Sequence, residues 1–90
     1  MKRINKGDFA PSKDHRVVTP GEALAALRRL QELSQNDLAG MTGISQSNIS
    51  NMESGRQQIG RDRALILAKA LKVHPAVILF PNYEVDDEAA

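Results

Sequence analysis

Ninety residues and 9.9 kDa hold one small domain, since a chain this short buries only about 60–65% of its unfolded surface. The absence of cysteine excludes disulfides, thiolate nucleophiles and cysteine-bound zinc, and three aromatic residues (Phe9, Phe80, Tyr83) are too few for a base-stacking sheet. The net charge of +1 argues against indiscriminate nucleic-acid binding, but it is laid out unevenly: +3 over 1–33, −2 over 34–55, +4 over 56–72 and −4 over 73–90.

No apolar run approaches the roughly 18 residues that cross a bilayer, and Met1-Lys2-Arg3 leads into no signal-like stretch, so a soluble cytoplasmic protein is expected. Three segments are expected: an N-terminal arm over 1–19, one folded domain over 20–81 and an acidic tail over 82–90. The arm mixes Gly7, Pro11 and alternating charges, with His15-Arg16-Val17-Val18-Thr19 as a leader coil or, alternatively, a short edge strand.

Thr19-Pro20-Gly21-Glu22 reads as a capping box with proline at the first helical position. The helix it opens is expected to reach about Glu32, burying Leu24, Leu27, Leu30 and Leu33 with Ala23 and Ala26 on one broad face. Ser34, with Asp37 three residues on, caps a second helix ended by Gly43, and Ser45 caps a third, Gln46 to Ser54, closed by Gly55. Ile59 anchors the next loop. A fourth helix, Arg61 to Leu71, shows an apolar pattern at Ala64, Leu65, Ala68 and Leu71, and His74-Pro75 starts a short fifth helix through Phe80 that Pro81 ends. The fold class is therefore all-α, five helices in a compact domain.

Two short capped helices joined by a tight glycine turn cross steeply, which lets the second stand out far enough to enter a DNA major groove. With Ile49 set inward, Met52 and Glu53 share the inner side of the third helix, while Ser47, Ser50, Asn51 and Ser54 face out. That outer face holds short hydrogen-bonding side chains where a merely solvated helix would carry the better helix formers Lys and Glu. Glu53 on the inner side needs a partner, because an unpaired buried carboxylate is costly.

These residues (Leu33-Ser34-Gln35, Leu38-Ala39, Gly43, Ser45-Gln46, Ile49-Ser50, Glu53-Ser54-Gly55-Arg56) resemble the helix-turn-helix of the lambdoid phage repressor and Cro superfamily, also called Xre-like, over about residues 21 to 80. The resemblance implies a repressor-like fold, base contacts from Gln46, Ser47 and Asn51, and phosphate contacts from Ser34, Gln35, Asn48 and Arg56. It also implies a structural ion pair between Arg28 and Glu53. Amide side chains pair well with adenine N6 and N7, so A·T pairs are expected at the contacted positions. The flanks, Thr19 to Leu24 and His74 to Pro81, resemble HigA-like antitoxins, which implies a RelE- or HigB-like RNase toxin as partner.

The functional expectation is a homodimeric repressor on palindromic double-stranded DNA that also serves as the antitoxin of its operon; the alternatives are a phage or mobile-element repressor without a toxin, or a protein-only adaptor. Surplus apolar surface at Ile66, Leu67, Val77, Ile78, Leu79 and Phe80 is expected to form the two-fold interface, and one chain end is expected to order on a protein partner. Without a phosphate loop, metal-ligand cluster or nucleophile–base pair, no enzyme activity, cofactor, metal or membrane association is expected.

Overall fold

The computed structural model describes residues 17–83, and among them five helices and no strand: α1 Pro20–Leu30, α2 Gln35–Thr42, α3 Gln46–Ser54, α4 Arg61–Leu71 and α5 Pro75–Leu79. Four of the five starts are capped by a side chain, α4 alone beginning at an uncapped Gly60. Thr19 and Glu22 form a reciprocal capping box on α1, as do Ser34 and Asp37 on α2. Ser45 accepts the Asn48 amide at the head of α3, and His74 Nδ1 accepts the Ala76 amide at the head of α5. Gly43 and Gly55 end α2 and α3 at φ of 81° and 87°, in the left-handed region that a Cβ disfavours.

Two helices end on a side-chain-bearing residue in the left-handed region. After α1, Glu32 sits at φ 60° while its amide bonds the Arg29 carbonyl and the Leu33 amide bonds the Arg28 carbonyl. After α4, Lys72 sits at φ 62°, with its amide on Lys69 and the Val73 amide on Ala68. Both are Schellman endings in which the hydrogen bonds hold a side-chain-bearing residue in a conformation that favours glycine.

The helices enclose one core. α1 packs on α3 and α5, α2 on α3 and α4, and α4 on α5. Leu24, Leu38, Ile44, Ile49, Met52, Leu67, Leu71 and Ile78 are buried at its centre, so all five helices and the turn residue Ile44 contribute. Gln31 adds a polar tie, donating from Nε2 to the Leu71 carbonyl and joining the ends of α1 and α4.

Several apolar expectations are corrected by the helical angle. Leu30 is 79% exposed and Ala26 is exposed, because a residue every three positions drifts about 60° backwards round the helix at each step. The buried face of α1 instead centres between Leu24 and Arg28, leaving Leu27 half-buried, and the helix ends at Leu30 rather than Glu32. On α4 the face is Ala64, Leu67, Ala68 and Leu71, spaced i, i+3, i+4, i+7, and it leaves Leu65 47% exposed. Leu67 and Ile78 are fully buried in this core, so they are unavailable to the interface expected of them. Residues 17–19 form no strand, while His15 and Arg16 lie outside the described residues. Asn82, the first residue of the expected tail, bonds Val18 in both directions.

Candidate nucleic-acid interface

The α2–α3 unit is built on a turn with little freedom. Thr42 Oγ1 donates to the Leu38 carbonyl and accepts the Ile44 amide, Gly43 takes the left-handed step, and Ile44 drops into the core. Ser45 then starts α3 at once. Ile49 and Met52 are buried and fix the roll of α3, which leaves Gln46, Ser47 and Ser54 exposed and Asn48, Ser50 and Asn51 half-buried along its outer side. Arg56 is exposed one residue beyond Gly55.

Behind α3 lies the buried charge. Arg28 Nε donates to Glu53 Oε2 at 2.7 Å and Nη2 to Oε1 at 2.9 Å, while Nη1 donates to the Leu33 carbonyl at 2.8 Å. The two side chains are only 10% and 7% exposed. Burial alone pushes the Glu53 carboxyl up, but hydrogen bonds from Arg28 and Gln35 and the charges of Arg28 and Arg29 outweigh it and hold the group below its ordinary range. The hydrogen bond to Glu53 raises the Arg28 guanidinium in turn, against the opposing effect of burial. At the head of α2, the Ser34 backbone and side-chain hydrogen bonds lower the Asp37 carboxyl.

The pair continues outward. Gln35 Nε2 donates to Glu53 Oε1 at 2.9 Å, and Gln46 Nε2 donates to Gln35 Oε1 at 2.6 Å. A continuous chain of side chains therefore runs from the Leu33 carbonyl through Arg28, Glu53 and Gln35 to Gln46, at the exposed first turn of α3. Reading the sequence by single-helix periodicity placed Gln35 and Gln46 separately and missed their contact, since periodicity carries no information about which residues meet across a turn. The signal available was the need of Glu53 for donors on neighbouring elements.

Gly21 was missed as well. A Cβ there would overlap the Met52 carbonyl oxygen and lie 2.7 Å from that of Glu53, so the first turn of α1 rests directly on the backbone at the end of α3. Among the described residues there is no grouping of three metal-ligating side chains, no buried side-chain polar atom without a partner, and no helix long and apolar enough to cross a membrane.

A helix-turn-helix family profile matches residues 24–78, more than half of the chain, and the protein belongs to that family. Its fold is similar to that of the restriction-modification controller protein C.AhdI from Aeromonas hydrophila, with a TM-score of 0.65 and 32% identity over 69% of this chain and 94% of that one. It is similar also to the P22 c2 repressor crystallised with synthetic operator 9T, with a TM-score of 0.68 and 29% identity over 73% of this chain and all of that one. The solution structure of the P22 c2 DNA-binding domain gives a TM-score of 0.66 and 28% identity over 71% of this chain and 84% of that one. No curated protein matches this chain.

Proposed function

We propose that this protein is a homodimeric transcriptional repressor that reads a palindromic site in double-stranded DNA through α3. The observation that carries the proposal is the bonded chain from Arg28 to Gln46, which positions an exposed amide at the first turn of α3 from a buried, charge-assisted base. Gln46 gives one N–H to Gln35 and keeps its carbonyl oxygen and a second N–H, the pair that adenine N6 and N7 require. Ser47 and Asn51 extend the same side. Gln35 keeps one N–H, and with Ser34, Asn48 and Arg56 it frames the reading helix with phosphate-directed groups. The likeness to a phage repressor and a controller protein supports the same reading.

One α3 covers only a few base pairs, so useful specificity needs two copies about 34 Å apart on one face of the duplex. After Leu67 and Ile78 are assigned to the core, the surface left for the two-fold contact is Ile66 and Val77, each 43% exposed, Phe80, 63% exposed, and half-buried Leu79. Val77 and Phe80 line a shallow apolar depression with Ala76, Pro81 and Tyr83, which suits a self-complementary patch.

The narrower antitoxin reading rests on the two flanks. In this fold Thr19 and Glu22 cap α1, and His74 and Pro75 start α5, so those residues have structural work in a repressor with or without a toxin. We therefore adopt the repressor without a required toxin. Its test is a titration against a selected operator and a random-sequence duplex at one salt concentration: the proposal expects a preference of about 10³ or more. Equal affinities for the two would overturn it.

A further inference from the structure

The hydrogen bonds between Glu53 and Gln46 have a direction, and Glu53 sets it. An ionised carboxylate accepts and cannot donate, so the Gln35 side chain turns its N–H₂ towards Glu53 Oε1 at 2.9 Å and its carbonyl oxygen away. That oxygen takes an N–H from Gln46 at 2.6 Å. Two amides that could each reverse end for end are thereby held one way round by a single buried acceptor, which Arg28 grips by both oxygens. Hydrogen bonds and the charges of Arg28 and Arg29 hold the Glu53 carboxyl below its ordinary range, so it is ionised at neutral pH.

The direction decides what Gln46 presents to a base. One N–H is committed to Gln35, which leaves the carbonyl oxygen and one N–H, a match for the N6 donor and N7 acceptor of adenine. Guanine presents two acceptors, N7 and O6, and its O6 would face the Gln46 oxygen with no proton between them. Were both amides reversed, the Gln46 oxygen would accept from Gln35 and both of its N–H groups would be free, a set that suits guanine.

We propose that Glu53, buried behind α3, is a specificity-determining positioning residue: as an acceptor that cannot donate, it orients Gln35 and through it Gln46, so that Gln46 takes adenine and refuses guanine. This rests on the reading of Gln46 as a base-contacting residue proposed above.

The test compares the selected operator with a duplex carrying G·C for A·T at the base pair whose preference Gln46→Ala loses, at about pH 8. The wild type should prefer A·T by about tenfold or more. Glu53→Gln, whose new amide can donate as well as accept, and Gln35→Met, which breaks the relay, should each reduce the preference to about threefold or less, while the preference at the pair read by Asn51 is kept. Arg28→Met loses the buried ion pair but leaves Glu53 an acceptor, and should keep the wild-type ratio. Adding Glu53→Met to Arg28→Met removes the acceptor without an orphan charge, so the double variant should lose the ratio and stands in for Glu53→Gln if that chain does not fold.

A wild-type ratio in the variants that lack the Glu53 acceptor would overturn the proposal. So would an equal loss in Arg28→Met, or an equal loss at the Asn51 position, since either would mean general loosening of α3. Without DNA, the side-chain N–H₂ resonances of Gln46 should shift in Gln35→Met and in the variants changed at Glu53, and an unchanged Gln46 signal would overturn the relay whatever the duplexes show. A wild type that prefers no operator would instead overturn the function proposed above, with the Gln46 resonances still testing the relay.

Discussion

Arg28 and Glu53, twenty-five residues apart, meet in a two-point ion pair, and the third guanidinium nitrogen holds the Leu33 carbonyl. One side chain thereby ties α1, the loop that follows it and α3, and through Gln35 the tie extends to α2. Removing one partner leaves the other buried and uncompensated, a loss that exceeds the value of the intact pair.

Arg28→Met and Glu53→Gln should accordingly each lower stability by about 3 kcal/mol, read from denaturant midpoints. Glutamine at 53 keeps one acceptor but turns an N–H₂ towards guanidinium donors. The double variant Arg28→Met/Glu53→Met should lose less than the sum of its single changes, since it leaves no orphan charge. Additive losses would mean that the two side chains act independently.

Acid should act through the same group. The folded Glu53 and Asp37 carboxyls both lie below their ordinary ranges, so in the window between folded and unfolded values the unfolded chain binds more protons. Their contribution is complete above the unfolded carboxylate range of about 4 and is lost as pH falls through the folded values. Stability measured from pH 6 to 2 should fall below about pH 4, and Glu53→Gln should flatten that fall. An acid limb unchanged by Glu53→Gln would assign the pH dependence elsewhere.

Gly21→Ala should destabilise the fold by about 1–3 kcal/mol, because the new methyl meets backbone carbonyls that cannot rotate away. Gly40→Ala, within α2 where an added Cβ meets nothing within 4 Å, is the control and should be neutral or slightly stabilising. Equal losses from the two would show that α1 and α3 can part without cost.

The proposed two-fold contact predicts that Val77→Asp and Phe80→Asp, at exposed positions, keep the helical signal but give monomers by light scattering, with weaker operator binding. A dimer persisting in both variants would move the interface off α5.

How much of this was legible in the chain follows from range. Caps and left-handed glycines are local chemistry, and Thr19, Ser34, Ser45, Gly43 and Gly55 stand where the sequence put them. Leu30 misleads because an apolar repeat of three drifts round the helix, and Leu65 because it lies about 100° round from Ala64, off the buried face. Gln35 to Gln46 and Gly21 to Met52 were illegible for a different reason: they are set by how close two helices come, which no single helix encodes. The left-handed Glu32 and Lys72 carry no local signal, as their conformation is imposed by the hydrogen bonds around them.

Positioning and reading separate by salt. Arg56→Ala should weaken binding to all duplexes about equally and make the slope of log K against log salt shallower by about 0.9, one phosphate's worth, whereas Gln35→Ala should weaken binding with the slope unchanged. A change of base preference in Arg56→Ala would place that residue among the readers.

The most direct measurement of the central claim is binding-site selection from a random duplex library with the wild type and Gln46→Ala in parallel. The wild type should enrich a two-fold symmetric site whose half-sites lie about 10 base pairs apart, with A·T at the positions read by amide side chains. Gln46→Ala should lose preference at one base pair in each half-site and bind more weakly by about 1–3 kcal/mol. Enrichment of no symmetric site by the wild type, or an unchanged preference in Gln46→Ala, would contradict the reading of α3 as the sequence-recognition helix.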